Sequence, residues 1–135
     1  MELETSSYGP VTLGALIRAL ERSKFDPEGK SRYVRFDFGG LVPASLNSYR
    51  GYYSELALGF EDPSERHGEP NVVELIEMLK GAIGKVYEGW KGGQYTMNED
   101  TAIFVANRGD ATDTGITGIY TSGEYQVVLL TDYFG

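Results

Sequence analysis

Three tyrosines, one arginine and one glycine lie within five consecutive residues of this chain, from Tyr49 to Tyr53. Tyrosine rings can stack on a flat ligand, and Arg50 offers five N–H donors in a rigid fork that suits phosphate or carboxylate. Gly51 lets the backbone bend or lets a ligand approach closely. These residue types predict a binding site that includes Tyr49, Arg50 and Tyr52. The alternative is a structural role, in which Arg50 lies over a neighbouring ring in a cation–π contact.

Two later stretches also combine aromatic, cationic and small polar side chains. A nucleotide ligand needs a ring to stack on its base, a hydroxyl or amide at the base edge, and a cation for each phosphate. We therefore predict ligand contacts at Lys91 and Tyr95 in one stretch, and at Thr101, Asn107 and Thr114 in the other. No general base or nucleophile accompanies these residues in the sequence. The combination favours a protein that holds a nucleotide over one that cleaves it.

Catalytic and metal chemistry have little support in the sequence. There is no Cys, and His67, the only histidine, lies in a polar loop between the predicted elements. No Ser has the context of a nucleophile elbow, and residues 91–93 lack the order of a phosphate-binding loop. A site made only of carboxylates stays open through Asp37, Asp110 and Asp113. We predict no catalytic residue, no metal site and no cofactor.

The net charge of −8 restricts the class of partner. It argues against binding to DNA or RNA, duplex or single-stranded, because those partners require a basic surface. It does not exclude a small phosphorylated ligand, which needs only two or three of the twelve Lys and Arg side chains. No apolar run approaches the roughly 18 residues of a membrane span, and the first residues do not resemble a signal peptide. We expect a cytoplasmic protein that has no membrane partner.

Periodicity in the sequence predicts an α+β fold in a single domain, residues 1–135. One helix starts after Thr12, and a second starts after Asn71 and stops at Gly84. We expect these two helices to pack on a mainly antiparallel sheet of about six strands. The segments with strand-like alternation are 32–38, 52–60, 101–106, 114–121 and 124–131. The first two are expected to be antiparallel neighbours, with residues 44–47 in the loop between them.

The chain resembles a widespread group of small proteins encoded by tailed bacteriophages. The resemblance rests on Ser48-Tyr49-Arg50-Gly51-Tyr52-Tyr53 followed by Leu56-Ala57-Leu58-Gly59, and continues in Ala82-Ile83-Gly84-Lys85, Gly89-Trp90-Lys91-Gly92-Gly93, the segment from Thr101 to Asn107, and Thr114-Gly115-Ile116. Order and spacing agree from about residue 11 to residue 131. The similarity therefore extends over most of the chain.

Within that group, the chain is similar to immune-evasion sponges, which bind the cyclic nucleotide signals of bacterial defence systems such as CBASS. The resemblance implies a cyclic oligonucleotide ligand such as a 3′3′-cyclic dinucleotide, sequestration without cleavage, and action in the cytoplasm of the infected host cell. It also implies a homo-oligomer, and a two-fold symmetric ligand fits naturally across an isologous interface. Two alternatives stay open: an acidic protein-interaction module that inhibits a host protein, and a small enzyme acting on a nucleotide.

Overall fold

The protein is described by a computed structural model for residues 3–5, 9–49, 52–65, 70–88, 92–106 and 113–134. Within these ranges the fold is α+β, as predicted, with two helices and a core made mainly of sheet. The elements in chain order are β1 (Leu3–Thr5), α1 (Leu13–Ser23), β2 (Tyr33–Phe36), β3 (Val42–Tyr49), β4 (Tyr52–Glu61), α2 (Val72–Ala82), β5 (Val86–Glu88), β6 (Gln94–Thr96), β7 (Ile103–Val105), β8 (Thr114–Ser122) and β9 (Gln126–Tyr133).

The main sheet is mixed and barrel-like, which corrects the expectation of a mainly antiparallel sheet. Its strand order is β2-β9-β8-β7-β4-β3, and β1 pairs with the second half of β8. The pairs β2–β9 and β4–β7 are parallel, whereas the other pairs are antiparallel. The two ends of this path meet, because β2 contacts β3 and the N–H of Phe36 donates to the carbonyl oxygen of Leu41 at 2.9 Å. β5 and β6 form a separate antiparallel hairpin.

Both helices begin where the sequence predicts. The Thr12 hydroxyl accepts a hydrogen bond from the N–H of Ala15 at 3.2 Å, and the Asn71 side-chain oxygen accepts one from the N–H of Glu74 at 2.9 Å. Each cap satisfies a donor that has no partner inside its helix. Gly84 follows α2 with φ +82°, a backbone conformation that glycine adopts without steric cost.

The hydrophobic core joins the buried stripes of both helices to inward-facing strand residues. Side chains alternate between the two faces of a strand, so every second residue can point inward. The inward-facing pairs, each at most 2% exposed, are Val34 and Phe36, Leu56 and Leu58, Ile103 and Val105, and Val127 and Leu129. Burial of each such side chain stabilises the fold by roughly 1.5–3 kcal/mol. The core therefore fixes which residues of β4 and β7 face outward.

Two local expectations are wrong. Residues 44–47 are not a loop but part of β3, which pairs with β4 over the whole of its length apart from two irregularities. β4 is not next to β2, because β2 pairs in parallel with β9 and β4 lies between β3 and β7. The predicted hairpin of residues 114–121 and 124–131 is confirmed as β8 and β9.

Candidate functional site

Tyr49 links two distant parts of the chain on the outer face of the sheet. It is the last residue of β3 and is only 2% exposed. Its ring stacks on Phe104 of β7, with ring centroids 4.7 Å apart and an interplanar angle of 14°. Its hydroxyl accepts a hydrogen bond from the backbone N–H of Asp113 at 2.8 Å, across 64 residues of sequence. We call these three residues the tyrosine tether.

Strand alternation explains why the tether lies outside the hydrophobic core. Ile103 and Val105 point into the core, so Phe104 between them points to the opposite face. The neighbour of Phe104 on β4 is Ala57, whose single methyl group leaves space beside the phenylalanine ring. The tyrosine ring stacks on the phenylalanine ring there, and its hydroxyl reaches Asp113, the residue before β8.

Asp113 is held by hydrogen bonds at both of its peptide groups. Its N–H donates to Tyr49, and its carbonyl oxygen accepts from the N–H of Phe134 at 2.8 Å. Its φ is +59°, the only positive φ of a non-glycine residue in the described part of the chain. Aspartate tolerates this region better than most residues, and aliphatic β-branched side chains tolerate it poorly.

The tether joins residues that flank two segments with predicted ligand residues. Arg50 follows Tyr49 directly in the sequence, and Asn107 opens the stretch that connects Ala106 to Asp113. Ala106 is fixed as well, because its N–H donates to the carbonyl oxygen of Leu58 at 3.0 Å. Ala106 and Asp113 are thus each hydrogen-bonded to a strand of the sheet, and Asp113 is bonded to the residue that precedes Arg50 in the sequence.

Thr114 and Thr101 lie at opposite ends of β7. Thr114 is half-buried, begins β8 and adjoins the tether through its neighbour Asp113. Thr101 precedes β7 and lies about 16 Å from Ala106, from the rise of five extended residues. The Thr101 hydroxyl accepts a hydrogen bond from the N–H of Asn98 at 2.9 Å inside a turn. The structure therefore places Thr114 beside Tyr49 and places Thr101 elsewhere.

The turn that contains Thr101 supports the start of helix α1. The N–H of Leu13 donates to the Thr101 carbonyl oxygen at 2.8 Å, and the N–H of Gly14 donates to the Glu99 carbonyl oxygen at 2.9 Å. With the Thr12 cap, these bonds satisfy the first donors of the helix. Thr101 is 7% exposed, and its observed contacts are structural.

Tyr95 belongs to the β5–β6 hairpin. It is half-buried, lies opposite Tyr87 and packs against the hydrophobic core. Strand β6 also contacts β4, the strand that begins at Tyr52. The hairpin is therefore next to the strand that begins with the predicted ligand residue Tyr52, and the role of Tyr95 stays a prediction.

Four of the predicted ligand residues have side chains that the structure does not describe. Arg50, Lys91 and Asn107 lie outside the described residues, and Tyr52 is described only as part of strand β4. Their contacts with a ligand stay predictions. The structure describes only residues near them in the sequence.

Glu55 lies on β4 two residues before Ala57, and therefore on the same outer face. Its carboxylate is partly buried, and burial raises its pKa above the ordinary value of 4.5. Since desolvation disfavours the charged form, this carboxylate opposes the fold at neutral pH. It would also oppose a nearby anionic ligand.

Sequence reasoning did not assign Phe104 and Asp113 to a tether. Phe104 belongs to a strand with a strong β preference, and nothing local shows which ring it meets. Asp113 was considered only as a candidate carboxylate, whereas the structure uses its backbone N–H. An aspartate between a polar stretch and a strand is a weak signal for positive φ.

Comparisons of this chain with protein-family models, with curated proteins and with solved structures found no match. In the described part of the chain, no helix is long and apolar enough to cross a membrane. The same residues include no group of three or more His, Asp or Glu side chains placed to hold a metal ion.

Proposed function

We propose that this protein binds a cyclic oligonucleotide, such as a 3′3′-cyclic dinucleotide, and holds it without cleaving it. The observation that supports the proposal is the 2.8 Å hydrogen bond from the Asp113 N–H to the Tyr49 hydroxyl. It joins Tyr49, which precedes Arg50 in the sequence, to Asp113, which ends the stretch that begins at Asn107. In the proposal, Arg50 meets a phosphate of the ligand and Asn107 meets the edge of a base.

Hydrogen-bonded residues on both sides of a binding loop favour ligand binding, because they reduce the conformational entropy that is lost in the complex. Ordering a loop when a ligand arrives reduces affinity, because the loop loses conformational freedom in the complex. A loop that is bonded at both ends has less freedom left to lose. In the proposed site, the tether supports the ligand-contacting residues. The Tyr49 ring is held in place by its stacking on Phe104.

Sequestration without cleavage agrees with the residue types of the proposed site. Its members contribute hydroxyl, amide, aromatic and cationic groups, and none is a carboxylate or an imidazole. The proposed members are Tyr49, Arg50, Tyr52, Lys91, Tyr95, Thr101, Asn107 and Thr114. The contacts of Thr101 make it the weakest member of this set.

The biological role in the proposal is immune evasion by a bacteriophage in the cytoplasm of its host cell. It rests on the resemblance to phage-encoded sponges, which capture the nucleotide signals of bacterial defence. The proposal includes a homo-oligomer. A molecular mass near the 14.9 kDa of one chain at micromolar concentration, measured by light scattering with and without ligand, would contradict that part.

Recovery of the ligand tests the proposal. The protein is incubated with each 3′3′-cyclic dinucleotide, then filtered to separate bound from free ligand, and the bound fraction is heat-denatured and analysed by chromatography. A sponge retains the ligand on the filter and releases it intact. An enzyme returns a linear or smaller product, and an acidic protein-interaction module retains nothing. Either of the last two results contradicts the proposal.

A further inference from the structure

One end of the barrel-like sheet carries uncharged side chains beyond the last layer of the core. Ile116 of β8 and Leu129 of β9 point into the core, and side chains on one face of a strand recur at every second residue. Continuing that face towards this end leads to Thr114 on β8 and to Tyr133 on β9. Thr114 is half-buried and Tyr133 is exposed, so both lie at the edge of the core and not inside it.

Thr114 and Tyr133 are direct partners across the β8–β9 pair. Side chains that stand opposite each other in an antiparallel pair lie on the same face, with Cβ atoms about 4.5–5.5 Å apart. A hydroxyl group and an aromatic ring are thus held side by side. A ring that stacks on a base and a hydroxyl that meets the base edge are two of the parts that a nucleotide site requires.

Two phenylalanines lie at the same end of the sheet. Phe38 comes two residues after the buried Phe36 of β2, and Phe60 comes two residues after the buried Leu58 of β4. Their rings meet edge to face with centroids 6.1 Å apart, so the contact joins the two sides of the sheet. Because β2 is parallel to β9, Phe38 and Tyr133 belong to the same strand ends. We call Phe38, Phe60, Thr114 and Tyr133 the barrel mouth, a place where β-barrels commonly bind ligands.

Tyr133 presents its ring to solvent. It is 66% exposed, the largest value among the exposed large hydrophobic side chains in the described part of the chain. None of the described residues gives its ring a stacking partner or its hydroxyl a hydrogen bond, whereas the exposed ring of Phe25 has the Lys24 ammonium 5.3 Å from its centroid. A flat ligand that covers the Tyr133 ring removes apolar surface from water, which favours binding.

The backbone that carries Tyr133 is fixed on both sides. Before it, the Asp37 carboxylate accepts hydrogen bonds from the N–H of Thr131 at 2.8 Å and from the Thr131 hydroxyl at 2.6 Å. After it, the N–H of Phe134 donates to the carbonyl oxygen of Asp113 at 2.8 Å. The ring therefore stands on a strand that is already ordered, and ligand binding does not have to order this backbone.

We propose that Tyr133 and Thr114 form a base-binding subsite, in which a purine of the cyclic oligonucleotide stacks on the Tyr133 ring and its edge meets the Thr114 hydroxyl. This inference rests on the proposed function and adds a residue and a base preference to it. The subsite is joined to the tyrosine tether, because Asp113 precedes Thr114 and donates to the Tyr49 hydroxyl.

The charges near the subsite favour a base over a phosphate. Thr114 and Tyr133 are uncharged, whereas Asp37 and Asp132 nearby are acidic and repel an anion. A purine is favoured over a pyrimidine because its two fused rings cover more of the tyrosine ring. Stacking strength sets the base preference where few hydrogen bonds read the base edge.

Calorimetric titration with 3′3′-cyclic di-GMP tests the subsite. Tyr133→Ala should weaken binding roughly 5- to 150-fold, the loss expected when one base loses its stacking partner. Tyr133→Phe keeps the ring and should bind nearly like the wild type. Thr114→Val removes the hydroxyl at similar shape and should weaken binding about 2- to 10-fold. Tyr125→Ala is the matched control, since it removes another exposed tyrosine, 54% exposed, from the turn before β9, and it should leave the affinity unchanged.

Two further measurements use the wild-type protein. The NMR signals of the Tyr133 ring protons should shift in a saturable way as cyclic di-GMP is added, and 3′3′-cyclic di-UMP should bind more weakly than cyclic di-GMP. If the wild type binds neither ligand, the proposed function fails and the subsite fails with it. If the wild type binds cyclic di-GMP but the Tyr133 ring signals do not shift, or a folded Tyr133→Ala protein binds as tightly as Tyr125→Ala, only the subsite is overturned. Tighter binding of cyclic di-UMP overturns the purine preference.

Discussion

The residues before and after strand β7 are held by different kinds of hydrogen bond. Before the strand, Thr101 closes a tight turn that caps helix α1, and its hydroxyl and both of its peptide groups bond to neighbouring backbone. After the strand, Asp113 has positive φ and depends on Tyr49, a residue far away in the sequence. One end is a closed structural junction. The other is a support for two segments that carry predicted ligand residues.

The comparison shows why residue type alone does not separate a structural residue from a binding residue. Thr101 and Thr114 were predicted as ligand contacts for the same reason, as hydroxyl groups that could meet the edge of a base. The structure gives Thr101 a local partner and places Thr114 next to the tether. We expect residues next to the tether to contribute more to ligand binding than residues away from it, and mutations at the two ends of β7 can test this.

The largest effect is expected at Tyr49. Tyr49→Ala removes a buried ring and its stacking on Phe104, and should lower the free energy of unfolding by about 3–5 kcal/mol. Tyr49→Phe keeps the ring and removes the hydroxyl that accepts from Asp113, so it should cost about 1 kcal/mol. Chemical denaturation measures both. Equal losses in the two variants would show that the ring packing contributes nothing.

A smaller effect is expected at Asp113. Asp113→Val places a β-branched side chain at φ +59° and should cost about 1–2 kcal/mol, whereas Asp113→Gly should be tolerated. Thermal melts of the two variants test this. If valine and glycine are tolerated equally, the backbone there is not held in the left-handed region.

At the other end of β7, Thr101→Val should cost about 1 kcal/mol, because the N–H of Asn98 loses its acceptor. Ligand affinity should fall less than in Tyr49→Phe, because Thr101 lies away from the tether. Calorimetric titration with a 3′3′-cyclic dinucleotide is the measurement, and Tyr49→Phe is the comparison. A loss of affinity in Thr101→Val larger than in Tyr49→Phe would reverse the assignment of the two ends.

The smallest effect concerns Glu55, whose pKa is raised by burial. A carboxyl group with a raised folded-state pKa favours folding below its unfolded value near 4.5, and this contribution is lost as the pH rises through the folded value. Glu55→Gln should therefore raise the melting temperature slightly at pH 7 and have less effect at pH 4. The same benefit at both pH values would show that the charge of Glu55 is not the cause.

Local signals in the sequence were sufficient for the helices. Thr12 and Asn71 are strong caps before clear helical periodicity, and Ser122-Gly123 between two alternating segments identified the β8–β9 hairpin. These features depend on neighbours a few residues apart. They could be predicted because interactions between residues close together in the sequence determine them.

Long-range pairing could not be predicted in the same way. Strand β3 contains Pro43 and several small polar residues, which are poor strand formers, and it is a strand because β4 pairs with it. The parallel pairing of β2 with β9 joins segments some 90 residues apart. For the candidate site, the sequence indicated Tyr49 but not its partners Phe104 and Asp113, because a stacking contact across three strands leaves no local pattern.

Calorimetric titration of Arg50→Ala with a 3′3′-cyclic dinucleotide tests the central proposal most directly. Loss of a hydrogen bond to a charged group costs about 1.5–3 kcal/mol, so the affinity should fall roughly 10- to 150-fold. Arg50→Lys should recover part of it, since lysine keeps the charge and loses the fork. Lys30→Gln, which removes a distant exposed charge, should bind like the wild type. Unchanged affinity in a folded Arg50→Ala protein would contradict the proposed phosphate contact.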